Sequence, residues 1–129
     1  MSDIPGQTLI DATDVASIGT AYDKTKVHTL TPATGILPGE AMLRSLILTF
    51  EGVSTSTEAE VLVSRDADGD DILFTTPAGA LDAALTASGQ RAAVFTVDSK
   101  FKLTGPLYVF PKVDGADTPT LSKTELVIE

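Results

Sequence analysis

The residues best suited to chemistry lie together in Arg65-Asp66-Ala67-Asp68-Gly69-Asp70-Asp71, where four aspartates fall within seven positions. Asp66, Asp68 and Asp70 alternate, like the first oxygen ligands of a calcium loop, whose carboxylates converge on one hard cation. The match ends there. Asp71 stands where such a loop needs glycine, and Pro77 where it needs the closing glutamate. The same stretch also separates two apolar runs, Ala59–Ser64 and Ile72–Thr75. A Gly-containing acidic turn between two such runs is a hairpin signal, with Gly69 supplying the positive φ. The hairpin is the simpler reading, and a calcium site at Asp66, Asp68 and Asp70 is the sharper one.

His28 is the single histidine, set in Lys26-Val27-His28-Thr29-Leu30. A general base needs a nucleophile and an orienting acid beside it. Neither Gly-x-Ser-x-Gly nor His-Glu-x-x-His occurs to supply them, so His28 reads as a strand residue. One histidine and no cysteine exclude a histidine-rich or thiolate metal centre. Neither Gly-x-Gly-x-x-Gly nor Gly-Lys-Thr is present to cradle a phosphate. Eighteen acids could furnish a carboxylate pair for glycoside hydrolysis, but they concentrate in turns. The chain also has no tryptophan and two tyrosines, a poor stock of sugar platforms. No catalytic residue is assigned, no enzyme is expected, and no cofactor is expected apart from the calcium reading.

The elements that must position these residues follow from length and texture. With 129 residues, 43% hydrophobic and 21% charged, the chain can bury one real core without disulfides. Its formal charge of −9 and scattered basic residues disfavour direct contact with nucleic acid or an anionic membrane. Met1-Ser2-Asp3-Ile4-Pro5-Gly6 lacks a basic, then apolar, secretory pattern, and no apolar run, Leu46-Ile47-Leu48 included, exceeds four residues. Synthesis in the cytoplasm is therefore expected.

Runs rich in strand formers, each bounded by Gly, Pro, Asp or Ser, predict strands over 25–31, 41–51, 58–66, 71–76, 91–98, 100–104, 106–113 and 120–129. Alternation is clean at Glu58–Val61 and Phe101–Leu103. In Met42-Leu43-Arg44-Ser45-Leu46-Ile47-Leu48 both faces carry apolar residues, which suits either a strand whose outer face a neighbour or the N-terminal arm covers or a fully buried central strand. Ala80–Ala87 reads as a two-turn helix closed by Gly89. The aromatic residues are assigned to the core, with either Tyr108 and Phe110 or Leu107 and Val109 available to a partner. The expected fold is all-β: a β-sandwich or jelly roll of about eight short strands, one short helix and an extended N-terminal arm. Residues 1–40, rich in Thr, Asp, Gly and Pro, form the arm with one or two strands, and 41–129 the sandwich.

The stretch from Leu43 to Glu129 resembles small bacteriophage virion proteins of jelly-roll-like build. The resemblance runs through Leu46–Phe50, the turn Ser54–Thr57, Val61–Gly69, Ile72–Phe74, Ala93–Asp98, Phe101–Leu103 and Gly105–Val109. It implies a virion structural protein that decorates or stabilises the head, or serves in a neck or tail. It further implies a major capsid protein or other virion proteins as partners, and homo-oligomerisation. The Thr-rich texture of residues 1–40, poorly suited to a private core, separately predicts an arm that orders on an adjacent subunit. The alternative from another class is a calcium-assisted carbohydrate-binding β-sandwich module, for which the acidic loop speaks.

Overall fold

The computed structural model describes residues 6–32, 39–53, 58–76, 89–114 and 120–129. They form eight strands: β1 Gln7–Asp11, β2 His28–Leu30, β3 Gly39–Val53, β4 Glu58–Ser64, β5 Ile72–Thr75, β6 Gly89–Leu103, β7 Leu107–Asp114 and β8 Thr120–Ile128. Two antiparallel four-stranded sheets result, in the orders β1-β8-β3-β6 and β2-β7-β4-β5. The first pairs with the last, the second with the seventh, the third with the sixth, and the fourth with the fifth. That is one long antiparallel hairpin, turned at β4–β5 and then rolled up. Pairing of β3 with β8 and of β4 with β7 closes the two sheets. This is the eight-stranded jelly roll.

The core lies between the sheets. Leu43, Leu46, Leu48 and Phe50 of β3 and Leu121, Leu126 and Ile128 of β8 meet Val61 and Val63 of β4 and Leu107 and Val109 of β7. The apolar run of β3 owes its two-faced look to a change of parity. A register shift between Leu43 and Ser45 moves the inward positions from Ala41 and Leu43 to Leu46, Leu48 and Phe50. The outward positions, Ile47 among them, are only half-buried.

Two expectations about strand length need correction. β3 and β6 are long, with 15 residues each. The two strands expected over 91–98 and 100–104 are one strand. Ser99 reads as a break, and the chain bulges beside it: Asp98 takes φ 52° and the partner register slips opposite Arg44. The helix expected over 80–87 lies outside the described residues.

The segment read as an arm supplies β1 and β2, one edge strand to each sheet. Between them the chain crosses the end of the sandwich. Val15 exchanges backbone hydrogen bonds with Leu121, and the Gly19 carbonyl accepts from the Val113 N–H. Leu9, Val15, Ile18 and Leu30 are all buried in the common core. Burying an aliphatic side chain of this size contributes about 1.5–3 kcal/mol, so these four anchor an otherwise polar stretch to the core.

Candidate functional site

The acidic segment is the β4–β5 turn. Ser64 ends β4 with its hydroxyl donating to Asp66 Oδ1 at 2.6 Å. The same oxygen accepts from the N–H groups of Asp70 (2.8 Å) and Asp71 (3.0 Å). The Ser64 hydroxyl, then the backbone N–H groups, hold the Asp66 carboxyl below its ordinary value. Gly69 sits at φ 78°, and a Cβ there would lie 3.5 Å from the Phe110 ring. The turn thus folds back over the outer face of its sheet and covers Phe110, which is 2% exposed. Of the two aromatic residues considered for a partner-facing role, Phe110 is buried and Tyr108 half-buried.

The structure does bring Asp66, Asp68 and Asp70 together, with one carboxylate oxygen of each within 4.8 Å of the others. Asp66 uses one oxygen to build the turn, and Asp68 faces Lys24 Nζ at 3.3 Å. The turn is fastened by Arg65, which pairs with Asp71 at 3.0 Å and donates to the Lys102 carbonyl of the other sheet.

Lys24 links this turn to a shallow hollow of about 510 Å³ lined by Ser17, Thr20, Tyr22, Asp23, Lys24 and Lys26. Lys112 Nζ stands 4.8 Å over the Tyr22 ring and pairs with Glu60 at 3.1 Å. Burial, with Glu60 adding to it, pushes the Tyr22 phenol up to about 12. Asp23 accepts from both the N–H and the hydroxyl of Thr25, and Asp11 does the same for Thr13. These are Asp-x-Thr turns, and the two Asp-x-Thr triplets in the sequence are the signal that marks them. Lys26 donates to the Ala16 carbonyl, while Lys24 makes only the exposed ion pair with Asp68.

His28 bonds to Thr124 and Thr13 and to no residue of the acidic turn. It is fully buried on β2, with Nδ1 2.8 Å from Thr124 Oγ1 of β8 and Nε2 against the Thr13 carbonyl. A carbonyl can only accept, so Nε2 carries the proton and Nδ1 is left to accept from the Thr124 hydroxyl. Asp11 stands beside the pair and accepts from Thr29 N–H at 3.0 Å. The group has the members of a hydroxyl, imidazole and acid array but not its wiring, since Nε2 is bound to a carbonyl and not to the carboxylate. Thr124 and His28 are both 0% exposed, so no substrate reaches them.

The outer face of the β1-β8-β3-β6 sheet presents a different kind of site. Register aligns Ile10, Glu125, Ile47 and Val94 in one rung crossing all four strands. Ile10 is 56% exposed and Val94 68%, one at each edge of the sheet. The adjoining rung is Thr8, Val127, Ser45 and Thr96, uncharged throughout. Glu125, the one charge in the first rung, is held by Lys123 at 2.6 Å. Arg44 at the end of the face holds Asp98 (3.0 Å) and Glu129 (2.9 Å).

No family model and no curated protein matches the sequence. Among solved structures, the chain is similar to the xylan-binding module CBM15, at TM-score 0.52 and 13% identity, over 92% of this chain and 80% of that one. It is similar to a chain of the cyanophage Pam1 capsid asymmetric unit, at TM-score 0.49 and 13% identity over 98% and 84%. It also matches VP2 in the infectious bursal disease virus subviral particle, at TM-score 0.48 and 13% identity, spanning 98% of this chain but 33% of that one. The likeness to CBM15, at 13% identity, bears on fold alone, and it agrees with the jelly-roll β-sandwich that the strand order defines.

Proposed function

We propose that this chain is a non-enzymatic structural component of a phage particle, a decorating or stabilising protein that works through protein–protein contacts. The observation that carries this reading is the Ile10–Glu125–Ile47–Val94 rung. Isolated apolar residues on a surface are ordinary, but an aligned rung with an uncharged neighbour is a surface prepared for contact. The sequence resemblance to phage virion proteins supports the same reading, with other virion proteins as partners and the particle as location. The test is the protein's copy number in gradient-purified particles from the cells that make it, measured by quantitative mass spectrometry. Many copies per particle support a decorating role, a handful a neck or tail role, and absence overturns the proposal.

A second reading is a calcium-assisted carbohydrate-binding module. The three carboxylates gathered at the β4–β5 turn beside the polar hollow favour it. Calorimetry with xylo-oligosaccharides, with calcium and then with chelator, separates the two. Calcium-dependent saturation that D68N abolishes would establish this reading, and no heat in either condition would remove it.

A further inference from the structure

We propose that the peptide bond between Asp68 and Gly69 is a site of spontaneous backbone isomerisation, at which the exposed β4–β5 turn converts slowly to an isoaspartyl form. This goes beyond the assembly reading and does not rest on it.

An aspartyl side chain can close on the backbone nitrogen of the next residue to give a five-membered ring. The Cβ of that next residue ordinarily crowds the attack, and glycine has none. Of the four aspartates in the turn, only Asp68 precedes a glycine. The structure also separates Asp68 from its neighbours. Asp66 Oδ1 is committed to the Ser64 hydroxyl and to the N–H groups of Asp70 and Asp71, and Asp71 is committed to Arg65. The nitrogen that Asp70 would need is that same Asp71 N–H, held at 3.0 Å. Asp68 instead faces Lys24 at 3.3 Å, in a pair whose side chains are 61% and 70% exposed. Such a pair restrains little. The Gly69 N–H reaches the Asp66 carbonyl at 3.3 Å, a longer bond than the 2.8 and 3.0 Å of the Asp70 and Asp71 N–H groups. Both reacting groups are loosely held, and they belong to consecutive residues.

The step balances without any co-reactant but water. Gly69 N bonds to Asp68 Cγ of the protonated carboxyl, and one carboxyl oxygen leaves as water with that proton and the proton from the nitrogen. Water then adds back to one of the two ring carbonyls. Opening at Cγ restores aspartate. Opening at the main-chain carbonyl routes the backbone through Cβ and Cγ and leaves the former main-chain carboxyl as the side group. The main chain is then one carbon longer between Asp68 and Gly69. Gly69 sits at φ 78°, with its Cβ position 3.5 Å from the Phe110 ring. Lengthening the chain there lifts the turn from Phe110, which is 2% exposed.

The test ages the full chain in mildly acidic water enriched in heavy oxygen and then digests it with trypsin. Each passage through the ring exchanges one oxygen, so peptide 66–91 is expected to gain the label. Electron-transfer fragmentation is expected to place the isoaspartyl linkage between Asp68 and Gly69. Asp68→Glu is expected to abolish both signals, because its side chain is one carbon too long for the five-membered ring. The other Asp-Gly of the chain, Asp114-Gly115, falls in peptide 113–123 and is read apart. Ageing is expected to lower the melting temperature of wild type more than that of Asp68→Glu. Label at Asp68 in a urea-unfolded chain but not in the native one would overturn the inference, since the fold would then protect the bond. So would a native chain that gains no label at Asp68 at all, or label in peptide 66–91 that Asp68→Glu leaves in place. An equal melting loss in both aged proteins would overturn the link to the cover over Phe110.

Discussion

His28 and Thr124 meet across the sandwich, Nδ1 to Oγ1 at 2.8 Å, and join β2 of one sheet to β8 of the other. With the Thr13 carbonyl on Nε2, every polar atom of the only histidine is satisfied inside an otherwise apolar layer. The residue that looked most like a general base is a fastening.

That role predicts a measurable coupling. Thr124→Val leaves His28 Nδ1 buried without a donor, at a cost of about 1–3 kcal/mol. His28→Ala adds a cavity and strands the Thr13 carbonyl, for about 2–5 kcal/mol. In urea unfolding the double variant should cost less than the sum of the two by at least about 0.5 kcal/mol. Additive losses would mean that the two side chains act independently.

The β4–β5 turn makes a prediction about acid. Asp66 is depressed below its ordinary 3.8, chiefly by the Ser64 hydroxyl and then by backbone N–H groups. A group whose folded value is lowered stabilises the fold above its unfolded value, and that stability drains away as pH falls through the folded one. Melting temperature should therefore fall as pH drops below 3.8. D66N should melt lower than wild type at neutral pH and show a shallower acid limb. Parallel acid limbs would show that the carboxylate does not hold the turn.

Gly69 tests the same turn through its backbone. At φ 78° an alanine is strained by about 1–2 kcal/mol, although its methyl would make only ordinary contact with Phe110. G69A should therefore lower stability by about that amount. No loss would mean that the turn relaxes to another conformation.

How much of this was legible beforehand differs from element to element. The β4–β5 hairpin was plain, since alternation on either side and an Asp-Gly turn are both local signals. The bulge at Arg44 and Asp98 was not. It makes one long strand read as two, and it gives β3 apolar residues on both faces by switching which parity points inward. Val15 and Ile18 stand singly in polar sequence, so no periodicity marks them as core, and the stretch reads as an arm. The His28–Thr124 contact and the Ile10–Glu125–Ile47–Val94 rung join opposite ends of the chain. Only the register of the rolled hairpin brings them together.

The N-terminal segment gives a prediction of its own. Removing residues 1–20 deletes β1, the Val15–Leu121 bridge and the buried Ile18 side chain. The shortened chain should lose its cooperative melting transition. Ile18→Ala alone should cost about 2–5 kcal/mol. A truncated chain that melts as wild type does would show that the sandwich core is complete without it.

The most direct measurement of the central claim is hydroxyl-radical footprinting of this chain, free at low concentration and then within purified particles. Labelling of Ile10 and Val94 should fall sharply on assembly. Ile72, 52% exposed on β5 at the edge of the other sheet, should label equally in both states. Undiminished labelling of Ile10 and Val94 in the assembled state would contradict the account.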